Sequence, residues 1–332
     1  MIIVHIVPKD VVGGVETAAK SFVGADANGE HSVLVYFIAG QNQSLFNPLH
    51  HVKAFRFLMQ VKPNVVVMSL WWSFFSTCMF RIVSKGKFVL FLHSQKRAHK
   101  LDSFFTSLQS KFADCFFCDS RATEKANGNF IKSKEAYVIS LILNSRAKPV
   151  RREFYNNPKF IFWGRLARVK RLDKALIFFE NIISELPDSQ FLVCGPDFGE
   201  KTWLESYIYS NSLQHNVKLI GQLQHCEIKS KADQCDFYLQ FSDYEGMAMS
   251  VIEAMQMGLV PIVSPVGEIH NYCTDDENAV LTACPETAAK RFLTIWKDKQ
   301  KLCRMRENAT KTWEGSSCYI DDFIYNVEKV VE

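Results

Sequence analysis

Short apolar runs that alternate with amphipathic segments limit the folds open to this chain more than any other feature. Each run is apolar on both faces and is separated from the next by a helical pattern. Such runs favour parallel sheets covered by helices on both sides, which is an α/β fold. The runs are Ile2–Val7, Ser32–Ile38, Asn64–Leu70, Phe88–Leu92, Cys115–Cys118 and Tyr137–Leu141, then Phe160–Phe162, Gln190–Cys194, Val217–Leu219, Phe237–Gln240 and Val260–Val263.

The length of 332 residues predicts two domains of ordinary size. The polar stretch 146–157 is the predicted linker between an N-terminal domain, 1–145, and a C-terminal domain, 158–316. The last segment, 317–332, is predicted to form a helix that packs back on the first domain. Its apolar stripe has helical spacing and consists of Ile320, Phe323, Ile324, Val327 and Val331.

Composition excludes several classes of protein. With 48% hydrophobic and 22% charged residues the chain is typical of globular proteins, and a net charge of +4 gives no reason to expect nucleic acid as a partner. The ten cysteines include a single C-x-x-C, Cys115 to Cys118, inside an apolar run. We therefore expect neither a zinc site nor disulfides, and we expect a reducing compartment. No secretory signal is visible, and the apolar stretch 65–80 is too short to span a bilayer. These features predict a cytoplasmic location.

Polar residues and glycines follow several of the apolar runs directly. In open α/β sheets, ligands bind at the carboxyl ends of the strands, so these positions are candidates for a binding site. They are Gly13-Gly14, His93, Gly164-Arg165, Gly221-Gln222-Leu223 and the segment Ser242 to Gly246.

The segment from Tyr244 to Met255 is the strongest single candidate. Glu245 and Gly246 end a loop, a helix is predicted over 248–257, and Gly258 can end that helix. Backbone N–H groups at Met247, Ala248 and Met249 would then face an anion, while Glu253 can accept hydrogen bonds from hydroxyl groups. This pattern favours a ligand with both phosphate and sugar.

Two cations follow the first strand of the second half. Arg165 and Lys170 can both reach one anion, although basic residues in such places are more often surface charges. Gly13 and Gly14 would let a phosphate approach the backbone, but a plain tight turn explains them equally well. His93 is a structural residue or a ligand contact.

Taken together, these motifs resemble glycosyltransferase family 4. The resemblance rests on Gly-Gly-Val-Glu at 13–16, Gly-Arg-Leu with Lys170 at 164–170, and the glutamates Glu245 and Glu253 followed by Ala-Met-x-x-Gly. It extends over about residues 1–325. It implies the GT-B fold, in which two Rossmann-like doubly wound domains face a central cleft.

The resemblance also implies a role for each site residue. Arg165, following Gly164, and Lys170 would hold the diphosphate and stabilise it as the leaving group, and Glu253 would hold the ribose hydroxyls. Glu245 and the N–H groups after Gly246 would contact the donor sugar, and His93 would meet its far side. The phosphate would approach Gly13 and Gly14, and Gly221, Gln222 and Leu223 would pack along the base. Two positions depart from the family pattern, Met247-Ala248 and Asn144-Ser145.

The function so implied is that of a retaining glycosyltransferase. It would move a sugar from a UDP- or GDP-sugar to a lipid-linked saccharide acceptor in the synthesis of bacterial lipopolysaccharide, O-antigen or capsule. No Asp-x-Asp motif occurs in the sequence, so we expect no metal and no other cofactor.

Two alternatives remain open from the sequence, and a third is disfavoured. A nucleotide-sugar 2-epimerase shares the layout, and a non-catalytic partner subunit would keep the fold without the chemistry. A dehydrogenase is disfavoured because neither half has the dinucleotide glycine fingerprint.

A peripheral contact with the inner face of the cytoplasmic membrane is a further hypothesis. It rests on Lys96, Arg97, His99, Lys100 and Lys111 beside Phe104, Phe105 and Phe112, although the phenylalanines also have the spacing of a core-facing helix.

Overall fold

The apolar runs form two parallel sheets, one in each of two units of the chain. The computed structural model describes residues 1–11, 13–22, 31–132, 134–143 and 153–332. The first unit combines Met1–Leu143 with Ser317–Glu332, and the second is Asn144–Ser316. Residues 144–152, which include most of the predicted linker and the Asn144-Ser145 pair, lie outside the described residues.

The sheet of the first unit has the strand order β2-β1-β3-β4-β5-β6, and each neighbouring pair is parallel. Its strands are β1 (Ile2–Lys9), β2 (Ser32–Ala39), β3 (Val65–Ser69), β4 (Lys87–Leu92), β5 (Cys115–Cys118) and β6 (Ala136–Val138). The helices are α1 (Gly14–Lys20), α2 (Pro48–Val61), α3 (Phe74–Val83), α4 (Lys100–Phe112), α5 (Arg121–Ala126) and α6 (Gly128–Ile131), and a 3-10 turn spans Trp71–Ser73.

The sheet of the second unit has the order β12-β11-β10-β7-β8-β9 and is also parallel. Its strands are β7 (Lys159–Trp163), β8 (Gln190–Cys194), β9 (Val217–Gly221), β10 (Phe237–Gln240), β11 (Val260–Val263) and β12 (Val280–Leu281). After a 3-10 turn at Arg168–Lys170 come α7 (Leu172–Ile183), α8 (Lys201–Ser210), α9 (His225–Ala232), α10 (Met249–Gln256), α11 (Ile269–Tyr272), α12 (Pro285–Trp296) and α13 (Lys299–Lys311). The last helix of the chain, in the first unit, is α14 (Tyr319–Val331).

The strand order locates the place where a ligand is expected. In the second sheet the order reverses at β7, because β8 and β9 lie on one side and β10 to β12 on the other. In the first sheet the same reversal lies between β1 and β3. The crevice at the carboxyl ends of such strands is where open α/β sheets bind ligands.

The inner strands of the two sheets are buried because nearly all their side chains are apolar on both faces. Every residue of β3 is buried, and residues Phe160 to Phe162 of β7 are 0% exposed. Helix ends are set by local chemistry: the Asn47 side chain accepts a hydrogen bond from Leu49 N at 3.1 Å and Pro48 begins α2. The sequence therefore encodes both the layers and their boundaries.

Several predicted boundaries differ from the structure by one or more residues, as two examples illustrate. The run Tyr137–Leu141 is a strand only over Ala136–Val138, where it pairs with β5. The predicted helix over 248–257 begins at Met249, because Ala248 has a left-handed backbone with φ 57° and is the N-cap. Gly258, with φ 75°, follows the end of the helix as expected.

All ten cysteines are free thiols. Cys115 and Cys118 lie in the buried strand β5, and burial raises the pKa of Cys115 to about 12. A thiol with such a pKa stays protonated and unreactive at neutral pH. In the described parts of the chain, no helix has the length and apolarity needed to cross a membrane.

Helix α14 packs on the sheet of the first unit through an aromatic side chain. Phe323 is 0% exposed and its ring contacts His5, Phe22 and Phe117, with centroids 4.8–5.8 Å apart. The buried stripe differs from the predicted one at its end, since Val330 is buried and Val331 is 45% exposed. The helix thus returns to the domain in which the chain begins.

Replacing this ring by a smaller apolar side chain tests the packing. We expect Phe323→Leu to lower the free energy of unfolding by about 1–2 kcal/mol, because aromatic pairs contribute beyond their buried area. Tyr325→Leu is the matched control, since Tyr325 lies on the same helix and is 56% exposed. Urea denaturation measures both, and equal stabilities of the two variants would contradict this packing.

Candidate functional site

The loops after β7, β8 and β10 form the candidate site of the second unit. They leave the sheet at the carboxyl edge, on either side of the reversal in strand order. The loop after β7 carries Gly164 and Arg165, and the loop after β10 carries Glu245. The position agrees with the rule for open α/β sheets.

Gly195 lets the first two of these loops lie against each other. Its φ is 151°, and a Cβ atom at this position would collide with the carbonyl oxygen of Gly164. Gly195 N also donates a hydrogen bond to Gly221 O at 2.8 Å. The predicted base-contacting segment Gly221-Gln222-Leu223 therefore begins next to the loop that carries Arg165.

The two predicted cations have different surroundings. Lys170 lies at the end of the 3-10 turn, and its Nζ is 2.7 Å from Glu245 Oε1, with both side chains nearly buried. Arg165 is exposed, and its guanidinium lies 5.4 Å from the ring centre of Phe198. Lys170 is thus already part of an ion pair, whereas Arg165 is available to an incoming anion.

The loop from Asp243 to Met249 is held from three sides. Asp243 N donates to Val169 O at 2.9 Å, Glu268 N to Gly246 O at 3.0 Å and Tyr272 Oη to Met247 O at 3.0 Å. Gly267, with φ 60°, contacts this loop so closely that a Cβ atom would collide with the Glu245 and Gly246 carbonyls. These contacts hold the backbone on either side of Glu245 in place.

Helix α10 begins directly after this loop. Because the first N–H groups of a helix have no acceptor within it, those at its start carry partial positive charge. Ala248 is the N-cap and Met249 the first helical residue, so Met247, Ala248 and Met249 lie where the sequence predicts an anion contact. Glu253 follows one turn later on the same helix.

Glu253 is oriented by a buried indole. Trp163 Nε1 donates to Glu253 Oε2 at 3.0 Å, and His225 Nε2 lies 3.5 Å from Oε1. Burial raises the pKa of Glu253, while the bond from Trp163 and the nearby His225 act in the opposite direction. Keeping this carboxylate charged in a buried site therefore costs free energy, which hydrogen bonds from the hydroxyl groups of a ligand can offset.

The predicted residues of the first unit lie at the ends of β1 and β4. Gly13 is the N-cap of α1 and Gly14 its first residue. His93 follows β4, and its Nε2 is 2.9 Å from Ser69 Oγ, which is also 2.7 Å from His5 Nε2. Burial lowers the pKa of His93 well below its usual value, and that of His5 to about 3. Both imidazoles are neutral at physiological pH.

Sequence reasoning missed the residues that orient the predicted ones. Trp163 and Gln240 end strands β7 and β10, and His5 lies inside β1. A polar side chain within an apolar strand was the available signal in each case, because a buried polar group needs a partner. The partner itself could not be read from the sequence.

The described residues contain no group of three or more His, Cys, Asp or Glu side chains placed to hold a metal ion. The predicted metal independence remains a prediction.

Comparison with protein families identifies the second unit. Residues 145–312, just over half of the chain, match the family model described as glycosyl transferases group 1. The chain belongs to this family. Assignment to family 4 in particular stays a resemblance. The matched span includes Arg165, Lys170, Glu245 and Glu253.

The curated proteins that resemble the chain are distant from it in sequence. An uncharacterized glycosyltransferase of Bacillus subtilis (strain 168) is 25% identical over 46% of this chain and 43% of its own length. The GDP-mannose:cellobiosyl-diphosphopolyprenol alpha-mannosyltransferase of Xanthomonas oryzae is 24% identical over 32% of this chain and 28% of its own length. The matched region thus spans less than half of each relative.

A solved structure matches nearly the whole chain. The crystal structure of Anabaena HepE in complex with UDP has a TM-score of 0.81 and 15% identity, over 99% of both chains. At this identity the likeness shows the fold alone. The GT-B fold predicted from the sequence, with its two doubly wound units, is confirmed.

Proposed function

We propose that this protein is a retaining glycosyltransferase that takes a sugar from a UDP- or GDP-sugar. The observation that carries the proposal is the position of two carboxylates at the carboxyl edge of the second sheet. Glu245 is paired with Lys170 at 2.7 Å, and Glu253 is held by Trp163 at 3.0 Å. Membership of the family and the fold support the same activity.

The charges match the chemistry of sugar transfer. Breaking the bond between sugar and diphosphate places negative charge on the leaving group and positive charge on the sugar. Arg165, Lys170 and the N-terminus of α10 would stabilise the diphosphate, and fixed charges of this kind often accelerate a reaction more than any other single effect. Glu245 would contact the sugar and Glu253 the ribose hydroxyls. The cations would do this work without a metal.

Donor contacts are also proposed for residues of the first unit. Gly13 and Gly14, at the start of α1, would allow a phosphate to approach the backbone. His93 is neutral, so it would bind a sugar hydroxyl by hydrogen bonding and not by charge. Gly221, Gln222 and Leu223 would line the base.

We further propose a lipid-linked saccharide acceptor in bacterial surface polysaccharide synthesis. The segment 31–113 contains ten lysines and arginines and one acidic residue, Asp102, which gives a local charge of +9. Leu101 and Phe104 of α4 are each 56% exposed, beside Lys96 and Lys100. The other predicted phenylalanines of α4, Phe105 and Phe112, are partly buried, so α4 has both a core face and an exposed face. An acceptor at an anionic membrane surface fits this charge.

Salt dependence distinguishes a membrane-facing surface from an ordinary helix. We expect weak binding to vesicles of anionic phospholipid, to which each basic residue near the surface contributes about 1 kcal/mol. This binding should decrease as salt is added. Lys96→Glu with Lys100→Glu should abolish it in a cosedimentation assay. Arg97 is unsuitable for this test because it donates to Asn127 and lies 5.0 Å from the ring centre of Phe130. Lys218→Glu in the second unit is the control, and equal binding to neutral and anionic vesicles would contradict the hypothesis.

A donor screen tests the activity. Thermal shift with UDP- and GDP-sugars should reveal a ligand that stabilises by about 2.7 kcal/mol at 100 times its dissociation constant. Incubation of that donor with a saccharide acceptor should then give a glycoside of the donor's anomeric configuration. Conversion of the sugar nucleotide without acceptor would indicate an isomerase, and donor binding without turnover a partner subunit.

A further inference from the structure

Gln240, the last residue of β10, lies at the centre of a buried hydrogen-bond network. Its side chain is 1% exposed. Gln240 Oε1 accepts from Tyr238 Oη at 2.7 Å and from Ser250 Oγ at 3.1 Å, and Nε2 donates to Glu245 Oε1 at 3.0 Å. The same Glu245 oxygen accepts from Lys170 Nζ at 2.7 Å.

The chemistry of the neighbours fixes the orientation of this amide. A carboxylate can only accept hydrogen bonds, so the NH₂ group must face Glu245 and the oxygen must face the two hydroxyls. Burial raises the pKa of Tyr238 well above its usual value, so its hydroxyl keeps its proton. Turning the amide would place its oxygen against the carboxylate.

The network continues to the second glutamate. Trp163 O lies 3.2 Å from Tyr238 Oη as a second acceptor for its single proton, and the indole of Trp163 donates to Glu253. Gln240 is therefore linked to the carboxylate proposed for the sugar and, through Tyr238 and Trp163, to the one proposed for the ribose. A buried amide is unfavourable unless its polar atoms are satisfied, and here both are.

We propose that Gln240 is a positioning residue, which holds Glu245 and, through it, Lys170 in the arrangement that sugar transfer needs. The inference rests on the proposed function. It assigns no contact between Gln240 and substrate. Its role is to limit the positions of a carboxylate that lies on a loop and not on a strand or helix.

Two substitutions at this position separate positioning from packing. Gln240→Leu keeps most of the volume and removes both polar atoms, and we expect kcat to fall about 10- to 100-fold with the KM for the donor changed less than threefold. Gln190→Leu, at the start of β8, is the matched control and should leave kcat unchanged.

Gln240→Glu keeps the shape and replaces the donor by a second carboxyl group. It would face Glu245, with Lys170 and Tyr238 as the other titratable groups around it. When this carboxyl is protonated it can donate to Glu245 again, so the variant should regain activity as the pH is lowered. Its activity optimum would shift to lower pH than that of the wild type. A role in packing alone would leave the pH profile unchanged.

A crystal structure of Gln240→Leu supplies a readout that needs no substrate. We expect the Glu245 carboxylate to move and its contact with Lys170 Nζ to lengthen beyond 4 Å. If wild-type protein turned over no sugar nucleotide, the proposed function would fail, but this structure would still decide the positioning role. A retained 2.7 Å contact, or a wild-type kcat in an active protein, would overturn the inference. Should the leucine variant fail to fold, the same contact is read in Gln240→Glu.

Discussion

Lys170→Ala is expected to reduce kcat for sugar transfer by about 100- to 1000-fold. The loss corresponds to one preorganised charge that stabilises the leaving diphosphate in a site with little water. Lys170 is 13% exposed and paired with Glu245, so the variant also leaves this carboxylate without its cation. Steady-state kinetics with the donor found in the screen measure the effect, and Arg165→Ala should lower kcat in the same direction.

Arg168→Ala is the matched control for Lys170. Arg168 begins the same 3-10 turn but is exposed, and we expect the kcat of this variant to stay within threefold of the wild type.

EDTA should leave the wild-type rate unchanged, because the cations would replace a metal. Full loss of activity in EDTA that manganese restores would contradict the metal-free mechanism.

Glu253→Ala is expected to weaken nucleoside diphosphate binding by about 100-fold or more. The carboxylate would accept hydrogen bonds from both ribose hydroxyls, and bonds to a charged group contribute about 1.5–3 kcal/mol each. Calorimetric titration with UDP or GDP measures the change. Glu205→Ala, on the exposed face of α8, is the control and should bind as the wild type does. Unchanged affinity of the Glu253→Ala variant would contradict the proposed contact between Glu253 and the ribose.

The pH dependence of this binding has a definite sign. Burial raises the pKa of Glu253, so the carboxylate takes up a proton at a higher pH than an ordinary glutamate. Binding through the charged form is fully present above this raised pKa and is lost as the pH falls through it. The stability of the unliganded protein has the opposite pH dependence. Because the pKa of Glu253 is raised in the folded state, the contribution of Glu253 to stability becomes less favourable as the pH rises.

The sequence predicts the architecture well because the responsible signals are local. Runs such as Phe237–Gln240 and Val260–Val263 become strands with the same bounds in the structure. The place of Glu245 in the loop before α10, and of Glu253 one turn into that helix, follows from the Gly-turn and the apolar run after it. The boundary error at Ala248 has a physical cause, since a left-handed residue other than glycine or asparagine is uncommon.

The supporting contacts could not be predicted because they join distant parts of the chain. Trp163 and Glu253 are ninety positions apart, and Gly164 meets Gly195 across two strands. Nothing in the local pattern around Gln240 indicates that its amide faces Glu245. The roles assigned to the site residues stay predictions until a ligand is placed among them.

A crystal structure of the full chain with the nucleoside diphosphate of its donor tests the central proposal most directly. We predict that the ribose hydroxyls lie within hydrogen-bond distance of Glu253 and that the diphosphate contacts Arg165 and Lys170. A nucleotide bound away from the carboxyl ends of β7 and β10, with Glu253 still bonded only to protein groups, would contradict the account.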